Sequence, residues 1–543
     1  MRGTPIILRT GVLAGAVFLI SFLALSFNLR TIPIANGWID PFLHTGAQDE
    51  AAYTHSAIRM IEQGDWMNPM LLGRYVLEKP PLLLWMSAAS MKVLGIGPFT
   101  ARLPAVLMGS LIATLCFLIG RSTRSTLAGI AAALLCLSNQ LLFTMSRLNM
   151  TDILLTATVT TALGVLVWDP ALIRRGPCFL FMLAIAAGIL TKSIAGLLPA
   201  LAALLFASVM NRPPWPQLRR TVLLTGTAIL LASPWFLYQF IVHRQWFMAD
   251  QYFQLVLVGI QQHSSLASHL EFYSLRGLNA APVTILMLFT AIPALIVAIR
   301  RREPLALLLT CFFVVLTGAL FTFRYESVTY LTPLLPILIV IGVVASPLLS
   351  RRVSAPMCAV ILIVFAIKIA NSDKTWGISY QPESTVPAAA ILHSYCEQHR
   401  DNGLYILGVE DQFYALALPL ARVRYGWVDP AGEIAHVRPH LSYLGVVQDA
   451  AATPNAAVYA ARLRDWGLNS VEPLGTAITG RTMDHLAALV LAHPESDFLV
   501  SPGIAATLGG RQTQDIRSRG TDCVLLESRL SRTVAAAHRT CGM

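Results

Sequence analysis

The stretch PPLLLWMSAASMKVLGIG, residues 80–97, decides how the chain folds. It is apolar enough to suggest a bilayer crossing, and counting it as one inverts the side on which every later loop lies. On its C-terminal side, runs of about 17 or more apolar residues recur near 103–120, 126–145, 152–169, 177–191, 194–211, 221–240, 279–299, 304–323, 328–348 and 354–371. One more precedes it at 7–26; Arg2 and Arg9 stand before it, but its length and the lack of a clean small-residue cleavage site make it a retained anchor. These are about eleven expected transmembrane helices. With the N-terminus in the cytoplasm, the inner connections hold Arg121/Arg124, Arg174/Arg175, Arg212/Arg219/Arg220, Arg300/Arg301/Arg302 and Arg351/Arg352, the positive-inside pattern. A crossing at 80–97 puts those clusters outside. The segment is therefore expected to lie at the outer surface or dip part-way in, with Trp85 as an interfacial ring. An odd number of crossings then leaves the tail, from about Asn371, on the outer face.

Composition agrees with that layout. The 543 residues are 55% hydrophobic and 13% charged, which excludes a single water-soluble globule. The first 371 positions hold 26 Lys/Arg against 12 Asp/Glu, the last 172 hold 14 against 17. The excess positive charge thus belongs to the membrane half, so the basic balance argues for topology and for no nucleic-acid partner. The expected fold is an α-helical polytopic membrane body, residues 1–371, with long outer loops at 27–101 and 241–277, followed by a soluble α/β domain at 372–543. The tail's short apolar runs, LYILGV at 404–409, LAALVLA at 486–492, DFLVSP at 497–502 and DCVLLE at 522–527, carry the last reading. Cys396, Cys523 and Cys541, also in the tail, allow one disulfide at most.

Ten of the membrane half's twelve carboxylates fall outside or near the outer ends of the spans, so acid chemistry is expected there, away from ATP and nucleotide sugars. In GAQDEAAYTHSAIRMIEQGDW, residues 46–66, Asp49 and Glu50 open a segment of helical spacing that also holds Tyr53. An acid pair at a helix start also relieves unpaired amides and complements the dipole, and that reading stays open. In GRYVLEKPPLLLW, residues 73–85, Lys79 stands directly before two prolines that fix an extended backbone and aim the side chain. A lysine snorkelling to headgroups is the alternative, but it leaves the flanking Glu78 and Pro80 without a reason.

The ordered series DE, Tyr53, GDW at 64–66, EKPP at 78–81, Trp85 and ARLP at 101–104 resembles the GT-C superfamily of glycosyltransferases that use polyprenyl-phosphate sugars. The nearest groups are the aminoarabinose lipid A transferases and the protein mannosyltransferase-like enzymes. The resemblance implies transfer of a sugar from a polyprenyl phosphate carrier to a cell-envelope acceptor, such as lipid A or another glycan, a lipid or a protein. It places the chain in a bacterial inner membrane with the site and tail facing the periplasm. It implies that Lys79, Lys192 in GILTKSIAGLLP and Arg324 in FRYESVTYLTPLLP neutralise the donor phosphate, with Tyr53, Tyr75 and Tyr330 beside them. Asp49 is then the base, and Asp152 in SRLNMTDILL or Glu50 orients the acceptor or a metal. Asp152 also reads as a helix cap, and Lys192 as a membrane anchor. Relatives in the lipid A group pair the acid before the KPP lysine, here Glu78, with a loop histidine to hold a divalent metal ion; His263 and His269 in QQHSSLASHLEFY are the candidates. Ala52 stands where those enzymes carry an arginine, and Glu326 where many relatives have a second basic residue, which argues against assigning aminoarabinose itself. A transporter or flippase for a lipid-linked precursor is the rival from another class. Transporters bury ionisable groups at mid-membrane, whereas these spans are nearly free of them.

Overall fold

A computed structural model of the chain describes residues 4–30, 49–71, 74–210, 214–244, single positions and turns between 247 and 251, 265–280, 282–323, 327–345, a few positions at 358–366, and six strands between 403 and 526. The described membrane half is almost wholly helical. In it, α1 is Thr4–Ser26, α2 Asp49–Gln63, α3 Leu82–Leu94, α4 Pro98–Thr123, α5 Thr126–Ser138, α6 Gln140–Met145, α7 Thr151–Trp168, α8 Arg175–Lys192, α9 Leu198–Met210 and α10 Trp215–Val242. These are followed by α11 Leu266–Ala280, α12 Pro282–Arg300, α13 Pro304–Thr322 and α14 Leu335–Ala345, with 3-10 turns at Ser193–Leu197 and Val328–Leu334.

The deciding segment forms α3, and its 13 residues span roughly 20 Å at 1.5 Å each. That is short of the ~30 Å hydrocarbon core. One side is buried through Leu83, Leu84, Ser87, Ala88 and Met91 against α2 and α4, while Val93 and Leu94 are exposed. The helix starts behind Pro80–Pro81 and stops at Gly95, whose φ of 91° a side chain would oppose. Trp85, expected as a free interfacial ring, donates its indole N–H to the Trp66 carbonyl at 2.6 Å and ties GDW to the KPP segment.

Six helical stretches among the described residues are long and apolar enough to cross a membrane: Pro98–Thr123, Thr151–Trp168, Arg175–Met210, Trp215–Val242, Pro304–Thr322 and Val328–Ala345. The apolar run 126–145 is not one helix. It breaks at Asn139, whose side chain accepts from Leu142 N at 3.0 Å and starts α6. The run 279–299 lies mostly in α12, Pro282–Arg300, and most of 354–371 lies outside the described residues.

Burial orders the spans. Of α7, 83% of the apolar window lies inside the protein, against 22% for α10, which turns Leu223, Leu230 and Ile241 outward. A helix apolar all round belongs at the centre of a bundle, and one with an open apolar side faces lipid. The central α7 packs on α4, α8 and the 3-10 turn before α14, while α9 packs on α10 and α13.

In the tail, β3 (Gly403–Leu407), β4 (Arg424–Val428), β5 (Ile434–Ala435), β6 (Asp497–Val500), β7 (Thr513–Ser518) and β8 (Thr521–Leu526) form one mixed sheet in the order β5-β4-β3-β6-β8-β7. The central β3 runs parallel to β4 and β6, with Leu404 opposite Tyr425 and Asp497; β8 runs antiparallel to β6 and β7, with Phe498 opposite Leu526. Three of the four apolar runs read from the sequence are thus strands. The run 486–492 and the crossovers that join the parallel strands lie outside the described residues. In the membrane half a two-stranded ribbon, Met70–Leu71 (β1) with Arg74–Tyr75 (β2), precedes the EKPP loop.

Candidate functional site

Two acid–base pairs organise one end of the bundle. In the first, the guanidinium of Arg102 on α4 grips Glu50 on α2 with both arms, Nε to Oε1 at 2.7 Å and Nη2 to Oε2 at 2.9 Å, and neither side chain is exposed. Glu50 Oε1 also accepts the Asn149 backbone N–H at 3.0 Å. The Asn149 side chain donates to Thr54 Oγ1 at 3.1 Å and accepts from Ser87 Oγ at 2.8 Å. Helices α2, α3 and α4 and the start of α7 are locked together by this network. Glu50, expected to orient an acceptor or a metal, is a fully buried carboxylate with both oxygens on an arginine. Arg102 was legible only as part of ARLP, with no role attached.

Beside it Arg147 is 1% exposed and reaches only the Leu25 carbonyl, at 3.2 Å, and the Phe143 ring. Its Nε and Nη2 find no hydrogen-bond partner among the described residues. Burial, reinforced by Arg102, pushes this guanidinium down to about 9.

The second pair is open. Lys192, the last residue of α8, donates to Asp152 Oδ1 at 2.7 Å, and its ammonium sits 4.6 Å from the centre of the Tyr330 ring. Asp152 is not a cap: Met150 precedes α7 and no side chain caps it. Lys192 is held by an unusual turn. Ser193 has φ 49° and ψ −123°, a conformation that costs a non-glycine residue of order 1–3 kcal/mol. A Cβ on Gly196 would overlap the backbone of Gly188 and Ile189, so the chain folds back on α8 as closely as backbone allows.

This pair stands at the polar end of a cavity of about 750 Å³. Glu78, Lys79, Pro80, Gln251 and Tyr330 line the same end; Leu198, Leu201 and Leu204 of α9, Ile229 of α10 and Val314, Ala319 and Leu320 of α13 line the rest. Two lysines and two carboxylates at the mouth of an apolar slot suit a ligand with a charged head and a hydrocarbon body.

The GDW stretch supports this end from below. Asp65 accepts the backbone N–H groups of Met67 and Asn68 and the Asn68 amide, Asn68 meets Tyr238 and His243, and Trp235 and Gln239 of α10 donate to the Met67 carbonyl. Burial lowers the His243 pKa, against the pull of Asp65.

Of the other expected residues, Tyr53 is buried on α2 and Asp49 is its first residue. The side chains of Asp49 and Tyr75, and all of Arg324 and His263, lie outside the described residues. His269 is not at the cavity wall. It is 3% exposed on α11, with Nε2 on the Leu320 carbonyl at 2.8 Å and its ring against Tyr273 and Phe321. Among the described residues no three His, Cys, Asp or Glu side chains gather as a metal set. Gln251 was missed altogether, since a lone glutamine carries no motif.

Residues 20–248 match the family described as dolichyl-phosphate-mannose-protein mannosyltransferase. A protein of Aquifex aeolicus described as uncharacterized is 30% identical over 207 residues, 37% of this chain and 40% of that one. The undecaprenyl phosphate-alpha-4-amino-4-deoxy-L-arabinose arabinosyl transferase 1 of Sodalis glossinidius is 29% identical over 195 residues, 34% of each chain. Matches to these curated relatives thus span well under half of their length. Along the whole chain the similarity is structural: ArnT from Cupriavidus metallidurans in the apo state superposes with a TM-score of 0.65, covering 97% of this chain and 98% of that one at 17% identity. The same protein bound to undecaprenyl phosphate gives 0.64. The chain has the ArnT fold. Its likeness to the GT-C enzymes that use polyprenyl-phosphate sugars, read above from EKPP and ARLP, is found again by family, by relatives and by fold.

Proposed function

We propose that the protein is an integral membrane glycosyltransferase that moves a sugar from a polyprenyl phosphate to a cell-envelope acceptor on the periplasmic face of a bacterial inner membrane. The observation that carries this reading is the cavity, whose apolar body ends at Lys79, Lys192 and Asp152. The arabinosyl transferase relatives named for undecaprenyl phosphate and the ArnT fold support the carrier. The arginine-rich inner connections support the orientation. About eleven spans over 1–371, and an α/β tail over 372–543 built on the β3-centred sheet, complete the proposed architecture.

In the proposed reaction the bond from the anomeric carbon to the phosphate oxygen breaks as the bond to the acceptor oxygen forms. The departing phosphate gains charge, which Lys79, Lys192 and Arg324 stabilise, with Tyr53, Tyr75 and Tyr330 around the headgroup. The acceptor's proton passes to the Asp49 carboxylate. Asp152 fixes the Lys192 ammonium, 2.7 Å away, at the head of the cavity. A single displacement inverts the anomeric centre and leaves no covalent intermediate on the protein. A metal at Glu78 needs further ligands that the described residues do not gather, and no step is routed through one. The test is incubation of the purified protein in lipid with a panel of labelled polyprenyl-phosphate sugars and envelope acceptors. One pair is expected to give product with inverted configuration, and Asp49→Asn to abolish transfer while carrier binding persists. Product of retained configuration, or wild-type turnover by that variant, contradicts the reading.

A further inference from the structure

Gln251 belongs to the second outer loop, yet its side-chain amide works on the first. Its Nε2 donates to the Leu77 carbonyl at 2.9 Å and to the Glu78 carbonyl at 3.4 Å. Its Oε1 accepts from the Ser193 hydroxyl at 3.5 Å. The side chain lines the polar end of the cavity, but its amide nitrogen and its oxygen are both engaged by the protein. An amide so engaged holds other groups in place.

What it holds are the flanks of the two lysines. The Leu77 and Glu78 carbonyls directly precede Lys79, and on the other side Pro80 and Pro81 have no backbone N–H with which to anchor the loop. Ser193 directly follows Lys192 and is the residue in the strained conformation. One side chain therefore bridges the backbone before one cation and the side-chain hydroxyl of the residue after the other, over 173 and 58 residues of sequence. We infer that Gln251 is a positioning residue that sets the spacing of Lys79 and Lys192 for a single phosphate group. This rests on the cavity being a polyprenyl-phosphate site, and it adds the residue that fixes the two cations relative to each other.

The experiment measures undecaprenyl phosphate affinity in lipid nanodiscs. Gln251→Met keeps the length of the side chain, adds no charge and removes the amide. It is expected to raise Kd about tenfold, the scale of a misplaced charged hydrogen bond, with an unchanged melting temperature. In a background of Lys79→Ala and Lys192→Ala the same change is expected to alter Kd by less than about twofold, since nothing remains to be placed. Should Gln251→Met fold poorly, Ser193→Ala removes one arm of the bridge, with an expected rise of about threefold by the same scale. Wild-type affinity in either folded variant overturns the inference, as does an equal tenfold loss in the lysine-free background. If the wild-type protein does not bind the lipid at all, the cavity reading fails and the inference with it.

Discussion

Glu50–Arg102 and Asp152–Lys192 are both acid–base pairs at the same end of the bundle, with closest N–O distances of 2.7 Å, and they differ in one respect. The first is sealed, with both side chains fully buried; the second leaves 14% of Lys192 and 5% of Asp152 exposed, at the wall of a cavity. The partners differ accordingly. Arginine's planar fork satisfies a carboxylate on two sides and suits burial, whereas lysine presents a point charge that keeps donors to offer elsewhere. The sealed pair joins α2 to α4, and the open pair lines the cavity.

The largest break in that comparison is expected from Arg102→Leu. It strands the Glu50 carboxylate in the core, at a cost of about 3–5 kcal/mol, read as a large drop in the melting temperature of the detergent-solubilised protein. Next is Lys192→Ala, expected to weaken undecaprenyl phosphate binding by about 2 kcal/mol, roughly thirtyfold, while melting barely moves. Asn149→Ala removes the hydrogen bonds to Thr54 and Ser87 and is expected to cost about 1–2 kcal/mol of stability, since buried partners are left unpaired. The smallest effect sharpens the contrast most. Arg147 is buried like Arg102 but has no carboxylate on it among the described residues, so Arg147→Met is expected to leave stability within about 1 kcal/mol or to raise it. A loss as large as that of Arg102→Leu would show that the two arginines share one network.

Much of this was legible in the chain itself. Hydropathy finds the six long apolar helices because lipid demands continuous apolar segments, and the prolines at 80–81 mark where the short α3 begins. EKPP, Asp152 and Lys192 were found because charged residues at the ends of apolar runs are conspicuous. Their pairing was not, since Asp152 and Lys192 stand 40 positions apart, at the start of α7 and the end of α8, and meet only when the turn at Asp169 lays the two helices side by side. The surroundings of Glu50 were not legible, because an exposed acid and a buried one look alike until Arg102 is brought to it from 52 residues away. Those of His269 were hidden for the same reason: α11 turns the ring onto the Leu320 carbonyl.

The central claim, that this cavity recognises a phosphate at the head of a long isoprenoid, is tested most directly by comparing the affinities of undecaprenyl phosphate and undecaprenol for the wild-type protein and for the Lys79→Ala/Lys192→Ala variant. The wild type should prefer the phosphate by about a hundredfold, from two charge-assisted contacts, and the variant should bind both lipids alike. A wild type indifferent to the phosphate, or a preference that survives the loss of both lysines, would contradict the account.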